Sequence, residues 1–296
     1  MINKAIQKAR ILPRVDWPKR LLEIPEPPKE LWIRGSLPDP RLKWLTVVGS
    51  RKYTKYGEDL CRTLISSLSG KPVVIVSGLA IGMDSIALEA ALKANIKCIA
   101  VPGSGISDSS LSPQTNVTLA NNIINRDNCC LLSEFHPDTK AALWTFPRRN
   151  RIMAGLSHAV LIIEAEQRSG TLITARLATE YNRDVLTIPG SVFSKNTSGP
   201  HMLIKLGATP ITNSEDLFEA LGLDSDNSAD PKVIDEILKG LTISERLIME
   251  NLSEPKTREI LSIEIDLPQN KLNEILMSLE LKGLIKESGG YTRLNI

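Results

Sequence analysis

From residue 46 onward the chain alternates short, β-branched apolar runs with longer stretches whose apolar residues recur at helical spacing, and this alternation constrains the fold more than any other feature. The runs span residues 46–49, 73–78, 98–101, 130–133, 160–164 and 185–188, each followed by a small or polar residue. Continuous rather than alternating apolarity is what a strand covered on both faces requires. Between the runs, residues 57–68, 84–94 and 171–181 read as amphipathic helices, with Leu172, Ala175, Leu177 and Ala178 on one side of the last. Strand-helix alternation predicts an α/β fold built on a Rossmann-like, doubly wound, mostly parallel sheet.

The flanks read differently. Ile24-Pro25-Glu26-Pro27-Pro28 is held extended by proline geometry, and Leu31-Trp32-Ile33-Arg34-Gly35 reads as an added edge strand, so residues 1–40 are expected to strap the main domain. Residues 223–231 open with the small, polar run Leu-Asp-Ser-Asp-Asn-Ser-Ala and are expected to be a linker. Helical stretches at 244–251, 256–263 and 270–283, followed by a ribbon at 289–294, suggest a winged-helix-like domain over residues 232–296. The charge divides along the same boundary. Residues 1–222 hold 27 Lys and Arg against 20 Asp and Glu, a net +7, and residues 223–296 hold 9 against 14, a net −5. A polyanionic partner is therefore expected for the first domain and not for the second.

No apolar run approaches the roughly 20 residues that cross a bilayer, and Met1-Ile2-Asn3-Lys4-Ala5 lacks the apolar core of a signal peptide. The expected location is cytoplasmic, with no membrane partner. Cys61, Cys98, Cys129 and Cys130 lie in apolar stretches without CxxC spacing and are expected to be reduced and structural.

In an open α/β sheet, ligands bind beyond the carboxyl ends of the strands, which directs attention to the residues just after each run. The first run enters Gly49-Ser50-Arg51, where glycine permits close backbone approach and arginine offers a forked cation; this is a phosphate site in outline or a structural turn. The second ends in Ser77-Gly78-Leu79-Ala80-Ile81-Gly82-Met83-Asp84, a tight loop that either supports a ligand or merely caps a helix starting near Asp84. The densest segment is Leu143-Trp144-Thr145-Phe146-Pro147-Arg148-Arg149-Asn150-Arg151-Ile152. Its three arginines, preceded by two aromatics, combine phosphate neutralisation with a surface for base stacking, the combination that holds single strands, although a solvated basic helix face with buried aromatics has the same composition. Helical spacing places Arg148 and Arg151 on one face and Ile152 and Leu156 toward the core. The fifth run ends at Glu164-Ala165 and leads through Arg168 to Ser169-Gly170-Thr171, whose hydroxyls and free N–H groups would form a second anion cradle or a helix cap. Glu164 could orient Arg51 or Arg151, or accept from a ribose or a base.

Gly103 and Gly105 lack the third glycine of a dinucleotide fingerprint, no Walker motif is present, and no His, Cys and acid cluster has metal spacing. Neither cofactor nor metal is expected. His136, His158 and His201 are scattered and read as surface or loop residues, and no nucleophile has a visible base partner. The site reads as built to bind rather than to catalyse.

Taken in order, Gly49-Ser50-Arg51 with Tyr56-Gly57, Ser77-Gly78-Leu79-Ala80 with Gly82 and Asp84, Leu132-Ser133-Glu134, Phe146-Pro147-Arg148-Arg149-Asn150-Arg151-Ile152, Ala154-Gly155-Leu156-Ser157, Glu164-Ala165, Ser169 to Ala175, Pro189-Gly190 and Gly207-Ala208 form a series that resembles the DprA/Smf family over residues 20–221. The segment Glu280-Leu281-Lys282-Gly283-Leu284-Ile285 looks like that family's C-terminal winged helix. The resemblance implies an extended Rossmann domain that binds and protects single-stranded DNA, dimerises through that domain, and loads the RecA recombinase during natural transformation, without enzymatic activity. It assigns binding to Ser50, Arg51, Phe146, Arg148, Asn150, Arg151, Ser169 and Gly170, to which the residues themselves add Gly49, Gly78 and Thr171, with Ser77, Gly82, Asp84 and Glu164 in support. Ile81 and Leu88 depart from the family's pattern, standing where a basic residue and a histidine are usual. A rival expectation is a nucleotide-processing enzyme similar to the lysine-decarboxylase-like phosphoribohydrolases.

Overall fold

A computed structural model describes residues 8–223, 241–252, 256–265, 267–282, 284–288 and 291–294. The chain divides into two units, Met1–Ser225 and Asp226–Ile296. The expected linker lies outside the described residues from 224 onward.

The first unit is a nine-stranded sheet. In chain order its strands are β1 (Arg10–Ile11), β2 (Trp32–Gly35), β3 (Lys43–Val48), β4 (Val73–Ser77), β5 (Lys97–Ala100), β6 (Cys130–Ser133), β7 (Ala159–Ile162), β8 (Asp184–Thr187) and β9 (Thr209–Pro210). Their spatial order is β1-β2-β6-β5-β4-β3-β7-β8-β9. The seven strands from β6 to β9 run parallel, each expected run becoming one of them within a few residues. The segment expected at the edge is not the edge: β2 pairs antiparallel with β6 and is itself covered by β1.

Strand β3 begins at the centre, with β4, β5 and β6 added on one side and β7, β8 and β9 on the other. Connections leaving β3 and β7 therefore diverge, and the carboxyl ends of these two neighbours open a crevice at the point where the winding reverses.

Because successive strand residues face opposite ways, the sheet feeds two cores. Leu45, Val47, Val73, Ile75 and Leu161 pack under α2 (Lys55–Ser67), α3 (Met83–Lys93) and α4 (Val117–Ile124). Trp44, Val74, Val76, Val160 and Ile162 pack under α5 (Thr145–Leu156) and α6 (Thr171–Glu180), joined by Leu203 of α7 (Ser198–Lys205), while α8 (Ser214–Leu221) adds Leu217 to the first core. The N-terminal strap joins the second core through Leu21 of α1 (Lys19–Leu22) and through Ile24; a Cβ on Gly155 of α5 would lie 2.9 Å from Ile24 Cγ2, so glycine lets the strap lie on the helix. All four cysteines are buried and unpaired, with the Cys98 amide donating to Cys129 Sγ at 3.3 Å. His158, expected at the surface, is half-buried and its Nδ1 accepts from the Trp44 amide at 3.0 Å; burial, with Arg20, Lys43 and Arg183 near, pushes its pKa down to about 4. No described helix is long and apolar enough to cross a membrane.

The second unit contains α9 (Ile243–Asn251), α10 (Arg258–Ile265) and α11 (Gln269–Leu281), with a small antiparallel sheet of β10 (Lys256–Thr257), β12 (Tyr291–Leu294) and β11 (Ile285–Ser288). Lys256 and Thr257, expected to open the second helix, instead pair with Thr292 and Tyr291. Ile248, Leu261, Leu272, Leu276 and Leu279 form its core.

Candidate nucleic-acid interface

The crevice between the ends of β3 and β7 has a volume of about 370 Å³. Its floor is set by two loops locked backbone to backbone. Gly49 sits against Met83, whose Cγ would be 2.7 Å from an added Cβ. Ser50 closes a small turn by accepting the Lys52 amide at 3.0 Å, and its carbonyl accepts from the Met83 amide. Gly82 has φ +92°, and a Cβ there would lie 2.6 Å from Ser50 O and 2.8 Å from Arg51 Cα. Only glycine combines that backbone with that approach. Locked in this way, the first loop holds the Arg51 guanidinium 5.6 Å from the centroid of the Phe146 ring, within cation–π range.

The ring is fixed in turn. Thr145 Oγ1 donates to the Gly103 carbonyl at 2.5 Å, and a Cβ on Gly103 would lie 2.5 Å from Phe146 Cδ1. From Phe146, one face of α5 presents Arg149, Asn150 and Met153 to the crevice. Arg149 is buried; its Nη1 donates to Val101 O at 2.7 Å, its Nε donates to Asn150 Oδ1 at 3.1 Å, and Asp84 Oδ2 is 3.9 Å away. Burial pushes the Asp84 pKa up, opposed by Arg149 and by the amides of Ala80 and Gly78, while burial lowers that of Arg149. Of the two readings the sequence left open for Asp84, the helix cap is not what forms: its carboxylate enters a buried ion pair below the crevice. Gly78 serves the same pair, because a Cβ there would overlap Arg149 Nη1.

The opposite face of α5 carries Arg148 and Arg151 together, as helical spacing required, but it faces away from the crevice. Arg151, expected to contact a strand, donates to the Glu26 carbonyl of the strap and to Glu134 Oε2, and Arg148 reaches the same Glu134 oxygen at 3.1 Å. Arg151 is buried with both Nη atoms bonded, whereas Arg148 remains half-exposed above Trp144. Trp144 packs edge-on against Phe135, leaving Phe146 as the aromatic at the crevice.

The β7 side supplies the second wall. Ser169 Oγ accepts the Thr171 amide at 3.2 Å, and Thr171 Oγ1 donates to Gly49 O at 3.2 Å, joining the two loops. Gly170 is exposed, with open space at its Cα, and the first amides of α6 are turned back onto this loop, Leu172 N donating to Ser169 O at 3.1 Å and Ile173 N to Gly170 O at 3.2 Å. Glu164 orients neither Arg51 nor Arg151. It is buried and accepts from Thr54 N at 2.9 Å, Thr54 Oγ1 at 2.5 Å and Asn196 Nδ2 at 3.3 Å, pinning the start of α2. Ser77 likewise stays within the sheet, donating to Val47 O at 2.6 Å. Leu88 is fully buried on α3 and Ile81 is exposed beside Phe146, lining a slot of about 80 Å³ with Pro113.

The crevice is lined by more basic than acidic side chains, Arg51, Lys52, Arg149 and Arg168 against Asp84 and Glu166. Among the described residues Arg51, Lys52 and Arg168 line it without an ion pair, with Arg149 beneath them. Motif and spacing alone do not single out Arg149 or Lys52 as crevice residues. Phe146 is the available signal, since residues three and four further along a helix share its face.

A family profile described as DNA recombination-mediator protein A matches residues 9–222. Protein Smf of Escherichia coli is 40% identical over 205 residues, which are 69% of this chain and 54% of that protein, so the match spans about half of that relative. DNA processing protein DprA of Streptococcus pneumoniae is 38% identical over 219 residues, covering 73% of this chain and 76% of the relative. Its X-ray structure superposes with a TM-score of 0.66 at 37% identity, covering 73% of this chain and 75% of that one. A Helicobacter pylori DNA processing protein A structure, described for its single-stranded DNA binding mode, superposes with a TM-score of 0.63 at 28% identity, covering 72% of this chain and 95% of that one.

Proposed function

The chain belongs to the DprA/Smf family of DNA recombination-mediator proteins, a membership that places it in DNA processing, and on that premise we propose that its first unit holds single-stranded DNA in the β3–β7 crevice. The observation that carries the proposal is the stack of Arg51 on Phe146 beside buried Arg149, in a crevice also lined by Ser50 and Ser169 to Thr171. Phosphates are met by Arg51, Lys52 and Arg168, and a base stacks on Phe146. Gly49, Gly78 and Gly82 act by letting the loops and Arg149 approach, and Asn150 and Asp84 act through Arg149. Arg148 lies on the other face of α5, half-exposed over Trp144, and Arg151 holds the strap.

Binding without reaction fits the engagement of Glu164, whose carboxylate is committed to Thr54 and Asn196 and is not free to act as a base. The family resemblance extends the proposal to protection of the strand, delivery to the RecA recombinase, dimerisation through this unit and a cytoplasmic setting. The second unit is proposed to be winged-helix-like, and its net −5 charge counts against groove binding to duplex DNA.

Oligo-dT binding against salt concentration tests the site. Arg51→Ala should weaken binding and flatten the logarithmic salt slope by about 0.7 for each phosphate no longer neutralised. Affinity and slope equal to those of the unaltered protein would remove the site, and release of free base from nucleoside monophosphates would replace binding by catalysis.

A further inference from the structure

Beyond β7, the next strand of the same sheet ends in a loop that displays apolar surface without burying it. Val192 and Phe193, adjacent in sequence, are 77% and 96% exposed. Single exposed apolar residues are common, but this neighbouring pair sits on a loop bonded to half-exposed Tyr56 of α2 and to Lys52, which half-exposed Tyr53 follows.

The loop is anchored rather than loose. Tyr56 Oη donates to Pro189 O at 3.1 Å, Asn196 Nδ2 donates to Lys52 O at 2.7 Å, and Thr197 Oγ1 donates to Ser191 O at 2.5 Å. The Ala165 amide donates to Asn196 O at 2.8 Å, tying the loop to the wall of the crevice. Phe193 is thus carried on a fixed support while its ring contributes nothing to either core.

Charge identifies the occupant. No Asp or Glu occurs between Asp184 and Glu215, exposed Lys195 lies two residues after Phe193, and Lys52 bridges the loop to the crevice. Since strands in a sheet lie about 5 Å apart, the end of β8 continues the row of loops that begins at β3 and β7. A polyanion with unpaired planar faces matches this surface, whereas an apolar protein face would leave the cations uncompensated.

We infer that Phe193, with Val192, Tyr53 and Tyr56, is a second stacking platform onto which a single strand passes as it leaves the crevice, with Lys195 and Lys52 following its phosphates. The inference rests on the crevice holding single-stranded DNA, and its test separates the two. Affinity of the full chain for oligo-dT of increasing length is measured for the unaltered protein, Phe193→Ala, Phe193→Tyr and Arg51→Ala. Oligomers just long enough to fill the crevice should bind Phe193→Ala normally, and longer ones should bind it about fivefold or more weakly. The salt slope should be unchanged, because no charge is removed, and Phe193→Tyr should restore affinity. Equal affinity of Phe193→Ala at every length overturns the platform, as does an equal loss at every length. A change in sedimentation of DNA-free Phe193→Ala without a change in DNA binding assigns the patch to a protein partner instead. Insensitivity to Arg51→Ala at all lengths defeats the crevice reading and leaves the Phe193 comparison as a separate result.

Discussion

Arg149 carries its charge where neither solvent nor an exposed acid compensates it. The guanidinium is held between Val101 O and Asp84, and Gly78 must lack a side chain for it to fit. Removing one partner of a buried pair costs about 3–5 kcal/mol, because the other is left charged in a poor solvent. Arg149→Ala is therefore expected to lower both stability and oligo-dT affinity. Asp84→Asn combined with Arg149→Met removes both charges and should recover most of the stability, measured by urea denaturation, but not the affinity. Arg151→Ala should show the reverse pattern, losing stability through Glu134 and the strap while the folded protein binds oligo-dT normally. Equal affinity losses for the two arginine variants would show that α5 presents both faces to the strand. Composition made the cluster of arginines visible; which arginine faces the crevice depends on the rotation of α5, fixed by Ile152, Met153 and Leu156 entering the core and by Gly155 admitting Ile24.

At the scale of elements, the clearest single device is Glu245. Thr242 caps α9 by accepting the Glu245 amide, and the Glu245 carboxylate accepts from Thr242 N at 2.8 Å, Ser278 Oγ at 2.8 Å and Lys282 Nζ at 2.7 Å. One side chain thus closes a capping box and ties α9 to α11. Lys282 first, then the Thr242 amide, holds its pKa down to about 2 from an ordinary 4.5. With the folded value below the unfolded one, the stabilisation is fully present above about pH 4.5 and disappears as pH falls toward 2. The second unit should lose stability in that acid window, followed by circular dichroism. Glu245→Gln should remove that part of the pH dependence and cost about 1–2 kcal/mol at neutral pH; an unchanged acid profile would show that other carboxylates govern the transition. The sequence located α9 to within a residue because its apolar period is regular. It misplaced Lys256 and Thr257 because two residues carry no period of their own and become a strand only by pairing with β12.

For the whole molecule, the division of charge and the division of structure coincide closely: the +7 segment ends at residue 222, and the first unit ends at Ser225. If the crevice is the DNA site, every residue assigned to it lies in the first unit, and the −5 segment opposes polyanion binding. Deletion of residues 226–296 is accordingly expected to leave oligo-dT affinity within about threefold of the full chain at fixed salt, with an unchanged salt slope. A large loss would move part of the strand's path onto the second unit.

The sequence by itself determined the class of the sheet and the placement of most of its strands, because a strand covered on both faces must be apolar throughout and each such run is bounded by its own small and polar residues. It also brought Ser50, Arg51, Phe146 and the Ser169 to Thr171 segment to attention, since all follow strands or begin helices. Tertiary structure alone decided which of them share one crevice. Glu164 turned to Thr54, Arg151 turned to the strap, Asp84 paired with Arg149, and β2 was covered by β1, all through partners distant in the chain. Those pairings follow from where the chain returns in space, which no local period encodes.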